Sequence, residues 1–145
     1  MRIALGSDHA GFEQKNQLVI DLVKAGYDII DVGPDCGQAS VDYPDYALKA
    51  CDAIITGQAD RAILVCGTGI GMAITANKLA RIRAANVTIP QFGALCREHN
   101  NANVLTLSGR FVDYETNRAT VDAFLHTEYA GDRHQLRLDK IAELE

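Results

Sequence analysis

Five short apolar runs punctuate the chain, and the stretches between them repeat apolar residues every three or four positions. Arg2–Gly6, Tyr27–Val32, Arg61–Cys66, Arg83–Val87 and Asn103–Leu107 are apolar rather than alternating, the pattern of strands buried on both faces of a parallel sheet. Between them, helical spacing predicts Phe12–Ala25, with Leu18, Val19, Leu22 and Val23 on one face and Gly26 as its stop. Tyr43–Thr56 follows Asp42, a candidate N-cap, and has Pro44 in its first turn. Ile70–Leu79 follows a glycine-rich turn, Pro90–His99 opens on a proline, Tyr114–His126 follows the candidate cap Asp113, and Arg133–Leu144 follows Gly131-Asp132.

Strands alternating with helices imply right-handed βαβ crossovers. The expected fold is α/β: a three-layer α/β/α, Rossmann-like (flavodoxin-like) sandwich with a five-stranded parallel sheet, in a single domain over residues 1–145. Ligands of such sheets sit beyond the carboxyl ends of the strands. That rule directs attention to Ser7–Gly11, Cys66–Gly71, the region near His99, and Ser108–Arg110.

Charge narrows the range of partners. Fourteen Lys and Arg against 19 Asp and Glu give a formal charge of −5, which argues against general affinity for nucleic acid or an acidic membrane. No apolar run approaches membrane-spanning length, and the N-terminus lacks the pattern of a secretory signal. Cys36, Cys51, Cys66 and Cys96 are widely spaced, with no metal-ligand pattern, so free thiols in a reducing cytoplasm are expected and a structural metal is not.

Four segments could carry chemistry. Cys66-Gly67-Thr68-Gly69-Ile70-Gly71 follows a strand and opens a helix; its glycines let a ligand approach main-chain N–H groups, which favour an anion. It is neither a dinucleotide fingerprint, since position 72 is Met72, nor a Walker loop. A thiol in such a turn can act as nucleophile or base, and a tight turn around a buried cysteine is the other reading. Asp8 and His9 can position hydroxyls or a phosphate, or simply cap a turn. His99, at a helix end, is an acid–base candidate or a solvated terminal residue. Arg133 and Arg137, four apart on one helix face, with Arg110 after the fifth strand, suit a phosphate or form a solvated basic face. Cys36, Cys51 and Cys96 read as surface or packing thiols, and His126 and His134 find no partner by spacing.

Taken in order, Ser7-Asp8-His9-Ala10-Gly11, Asp42-Tyr43-Pro44, the Cys66–Gly71 run, Ala76-Asn77-Lys78, Arg97-Glu98-His99-Asn100 and Gly131-Asp132-Arg133-His134-Gln135 with Arg137 resemble ribose-5-phosphate isomerase type B over nearly the whole chain. The resemblance implies an aldose–ketose isomerase of a sugar phosphate, with no cofactor and no metal. It implies Cys66 as the base that moves a proton between C1 and C2 of the open-chain sugar, and His99 as the acid that opens the furanose ring. Gly67, Thr68, Gly69, Ile70 and Gly71 would cradle the enediolate oxygens. Asp8, His9 and Asn100 would bind substrate, and Arg110, Arg133 and Arg137 would grip the phosphate. It further implies a homodimer or dimer of dimers whose site is shared, with His99, Asn100 and Arg110 from the partner subunit and the C-terminal helix at the interface. Relatives act on allose- or galactose-6-phosphate, and some carry a glutamate base at or just beyond the Gly71 position; Cys66 speaks for the ribose branch. A non-catalytic phosphate- or nucleotide-binding module and a cysteine-nucleophile enzyme are the readings from other classes.

Overall fold

In the computed structural model, which describes residues 1–145, the apolar runs form β1 (Arg2–Ser7), β2 (Asp28–Asp31), β3 (Arg61–Cys66), β4 (Ala84–Asn86) and β5 (Val104–Ser108). All pair in parallel, in the order β2-β1-β3-β5-β4. The helices are α1 (Phe12–Lys24), α2 (Tyr43–Ile55), α3 (Ile70–Ala76), α4 (Pro90–Asn100), α5 (Tyr114–His126) and α6 (Gln135–Ala142), the last preceded by a 3₁₀ turn over Asp132–His134. The layers are those of the predicted sandwich. A flavodoxin-type sheet places its last two strands in sequence order; here they are exchanged, so β5 lies directly beside β3.

Side chains alternate across a strand, and the two faces of the sheet receive different helices. Ile3, Leu5, Ile63, Val65, Leu105 and Leu107 pack against Leu18 and Leu22 of α1 and Val121 and Phe124 of α5. Ala4, Ala62, Leu64 and Val104 pack against Ala47, Ala50 and Cys51 of α2 and Met72 and Ala76 of α3. Cys66 continues this second series. Only β1, β3 and β5 are buried on both faces; β2 and β4 are partly exposed edges. The edge at β4 is covered by a side chain: the Asn77 amide donates to Ala84 O and accepts from Ala84 N–H, both at 2.8 Å. That strand-like pairing blunts an edge that could recruit another strand, and it accompanies the end of α3 at Ala76, short of the predicted Leu79.

The buried face of α1 differs from the predicted one. Val23 is exposed, and Lys15 is buried beside Leu18 and Leu22. Lys15 Nζ donates to both carboxylate oxygens of Asp31, at 2.8 and 2.7 Å. A buried ammonium left without its counter-charge is costly, whereas replacing the cation by an apolar chain is not. Asp31→Ala is therefore expected to lower unfolding free energy by about 3 kcal/mol and Lys15→Met by about 1 kcal/mol or less, measured by urea denaturation.

Because a βαβ helix starts where its strand ends, helix carboxyl ends return to the edge where strands begin. Buried arginines tie that edge together. Arg61, at the start of β3, donates to the carbonyls of Phe124 and Leu125 at the end of α5, at 2.7 and 2.9 Å. Arg97, near the end of α4, donates to Ala102 O just before β5, at 2.6 Å.

Candidate active site

The exchange of β4 and β5 sets Ser108 opposite Cys66 at the carboxyl edge of the sheet. Two turns leave these strands and lock together. Gly109 N–H donates to Cys66 O at 2.8 Å, Arg110 N–H donates to Gly67 O at 3.2 Å, and Ser108 Oγ–H donates to Gly67 O at 2.8 Å. The Arg110 side chain lies over Gly67, within 3.6 Å of where a Cβ on that glycine would stand.

The cysteine turn folds back on its own sulfur. Gly69 adopts φ +79°, a left-handed conformation, and its N–H donates to Cys66 Sγ at 3.1 Å. A Cβ at Gly69 would lie 2.3 Å from Asn86 Oδ1, so geometry and space both demand glycine. Thr68 and Ile70 are exposed at the rim, and Thr68 Oγ1 accepts from Ile70 N–H at 3.3 Å. The ring of Tyr43, from the first turn of α2, presses on Gly71.

Beside this turn lies the end of β1. Asp8 Oδ1 accepts from the N–H groups of Ala10 and Gly11, at 2.8 and 3.0 Å, and His9 Nδ1 accepts from Val41 N–H at 3.3 Å. These atoms do the work of turn and cap, which leaves Asp8 Oδ2 and His9 Nε2 free for a ligand. Two cavities flank the cysteine turn. One, of about 500 Å³, is lined by Thr68, Ile70, Asn86, Ser108 and Phe111; the other, of about 650 Å³, by His9, Ala10, Gln14, Cys36 and Gly109. Cys66 itself is 4% exposed and lines neither.

His99 and Asn100 are elsewhere. They end α4, so they lie at the amino edge of the sheet, and the expectation that the region near His99 sits with the carboxyl ends of the strands is wrong. A crossover helix runs antiparallel to its strands, and α4, at 11 residues, is about 16 Å long from end to end. His99 stacks on His134, ring centroids 4.5 Å apart and planes 12° from parallel. Arg133 and Arg137 are exposed in the same segment, with an Arg137 guanidinium N–H donating to Arg133 O. Loss of solvent around His134, and then the charges of His99, Arg133 and Arg137, hold its imidazole below the usual histidine range. His134 thus has a partner that spacing did not reveal. The residues predicted for the site fall into two groups: Asp8, His9, Cys66–Gly71 and Arg110 at one edge, and His99, Asn100, Arg133 and Arg137 at the other. Arg110 stands beside its own chain's cysteine turn, whereas the resemblance implies Arg110 from the partner subunit.

The other thiols behave as packing groups or surface groups. Burial pushes Cys51 up to about 12 and Cys96 up to about 11, and Cys36 is exposed. No three His, Cys, Asp or Glu side chains gather as metal ligands. No helix is long and apolar enough to cross a membrane. An apolar cavity of about 630 Å³ under α6, lined by Leu79, Ile82, Leu138 and Ile141, lies apart from the cysteine turn.

A cysteine-and-glycine turn at the carboxyl edge of a parallel sheet, with Arg110 over it, is an arrangement suited to an anionic ligand, and comparison with known proteins gives the family. The model of the Ribose/Galactose Isomerase family matches residues 3–141, and the chain belongs to that family. Ribose-5-phosphate isomerase B of Escherichia coli is 42% identical over 144 residues, 99% of this chain and 96% of that protein. Putative sugar phosphate isomerase YwlF of Bacillus subtilis is 41% identical over 145 residues, 100% and 97% of the two chains. Among solved structures, ribose-5-phosphate isomerase B of Clostridium thermocellum superposes with a TM-score of 0.97 at 44% identity, covering 99% of this chain and 97% of that one. The Mycoplasma genitalium enzyme, solved with bound ribulose-5-phosphate, gives 0.94 at 40%, covering 99% and 95%. This chain is an isomerase of that family.

Proposed function

We propose that the chain interconverts D-ribose 5-phosphate and D-ribulose 5-phosphate through a cis-enediolate, with Cys66 as the base. The observation that carries this is the Gly69 N–H aimed at Cys66 Sγ in a glycine turn at the carboxyl edge of the sheet. The proton α to a sugar carbonyl is weakly acidic, and the barrier to its removal falls when donors already point where negative charge develops; each such donor contributes about a hundred-fold or more in rate. One base serving C1 and C2 requires both carbons on the same face, hence the cis-enediolate. Thr68, Ile70 and Gly71 border the oxygens, Asp8 and His9 hold hydroxyls, and Arg110 grips the phosphate, whose binding energy is remote from the reacting carbons.

His99, as ring-opening acid, and Asn100 come from a second copy of the chain, with Arg133 and Arg137 completing the phosphate grip. The separation of the two groups of residues supports this, because neither edge of one sheet holds a complete set. So do exposed apolar side chains near the cysteine turn and along α4: Ile70, Ile74, Ile89, Phe92 and Phe111 are 40–78% exposed. Leu136 and Ile141 of α6 are exposed too, consistent with that helix at an interface. The resulting protein is a homodimer or a dimer of dimers, in the cytoplasm.

A kcat/KM comparison of ribose 5-phosphate with allose 6-phosphate and galactose 6-phosphate tests the substrate, with solvent deuterium uptake reporting the proton transfer. Ribose 5-phosphate is expected to lead by at least about ten-fold, the scale of discrimination that one extra carbon unit allows in a fitted pocket. Preference for a six-carbon substrate removes the assignment, and binding without deuterium uptake removes the isomerase chemistry at Cys66.

A further inference from the structure

The turn that carries Arg110 is held from below by two amide side chains outside the residues already placed in the site. Gln14, in the first turns of α1, donates through Nε2 to Val112 O at 2.9 Å and Gly109 O at 3.2 Å. Its Oε1 accepts from Asn117 Nδ2 at 2.7 Å, and the same Nδ2 donates to Ser108 O at 2.8 Å. Asn117 is fully buried. The carbonyls on both sides of Arg110, those of residues 108, 109 and 112, are therefore each fixed by one of these two amides. Ser108 then passes the restraint to the cysteine turn through Gly67 O.

We infer that Gln14 and Asn117 form a clamp that positions Arg110 over the substrate phosphate, and so set the affinity of the site rather than its chemistry. The clamp rests on the phosphate role of Arg110 proposed above. Neither amide is near Cys66 Sγ in the bonding network, and neither needs to touch substrate. Their bonds end on the backbone of the turn, and what that turn presents is a guanidinium. A guanidinium fork recognises phosphate through paired, directional bonds, so its orientation governs binding. Interactions shared by ground state and transition state appear in KM with kcat unchanged.

The test is a double-mutant cycle with Gln14→Met and Arg110→Ala, reading KM and kcat for ribose 5-phosphate and the competitive inhibition constant of inorganic phosphate. Gln14→Met keeps the length of the side chain and removes all three bonds. It is expected to raise KM and the phosphate inhibition constant together by about 10-fold, with kcat within about two-fold, as loss of a charge-assisted grip predicts. In the Arg110→Ala background the same change is expected to add nothing, because the clamp's only route to the phosphate has gone. Should Gln14→Met fail to fold, Asn117→Ala reads the same cycle. If Arg110→Ala raises KM while Gln14→Met leaves it at the wild-type value, or if the two effects add fully, the clamp is overturned and the phosphate role stands. If Arg110→Ala leaves both constants unchanged, the phosphate role falls and the clamp with it.

Discussion

Cys66→Ala is expected to lower kcat by at least about a thousand-fold, the scale on which an essential proton carrier acts together with its surrounding donors. The protein should still fold. The side chain removed is small, and the cost is a small void plus one N–H of Gly69 left without its sulfur acceptor, together about 1–2 kcal/mol. Cys66→Ser separates the two effects. A hydroxyl can accept from Gly69, so the turn is kept and stability stays close to wild type, yet an alcohol is a far poorer base than a thiol at neutral pH. Both variants should therefore be inactive, and only the alanine variant measurably less stable, when turnover and urea unfolding are followed on the same preparations. Serine at full activity would show that the turn alone, and not the sulfur, moves the proton.

The parts of this picture that sequence reveals are those written in local patterns. β3 and α5 form over the predicted residues because an unbroken apolar run, and a helix with its cap, leave local marks. Asp113 does accept from Thr116 N–H, at 2.9 Å, whereas Asp42 makes no side-chain cap bond to α2. Periodicity reports that a face is buried and not what buries it. It therefore missed Lys15, whose length lets it stay under the α1 face and reach Asp31, and it placed the exposed Val23 inside. The exchange of β4 and β5 depends on a long-range crossover and leaves no local trace. The same holds for Gln14 and Asn117, which meet across 103 positions of sequence. Ser108 and Tyr43 are legible in sequence only as part of a strand end and of Asp42-Tyr43-Pro44, and neither carries a charge that marks it out. The place of His99 was legible in principle. A helix between parallel strands must end at the amino edge of the sheet, and that rule outweighs the general pointer to carboxyl ends.

That same rule yields the second large effect. With Cys66 at one edge of the sheet and His99 at the other, the proposed meeting of sulfur and imidazole calls for two copies facing in opposite senses, as a two-fold axis provides. His99→Ala alone is expected to lose about a hundred-fold or more in kcat/KM through loss of the ring-opening acid. Cys66→Ala and His99→Ala chains, co-expressed with different tags and purified as the hybrid, place both defects in one site and leave the other site intact. The hybrid should recover about half the wild-type kcat per dimer, although each parent homodimer is nearly inactive. Random reassortment of the two parents should give about a quarter, since about half of the dimers are then hybrids. If both residues served a site within one chain, every chain of the hybrid would carry one defect, and no activity would return. Recovery therefore requires that the sulfur and the imidazole meet across chains, and a silent hybrid that is shown to be dimeric would place them in one chain, against the topology of α4.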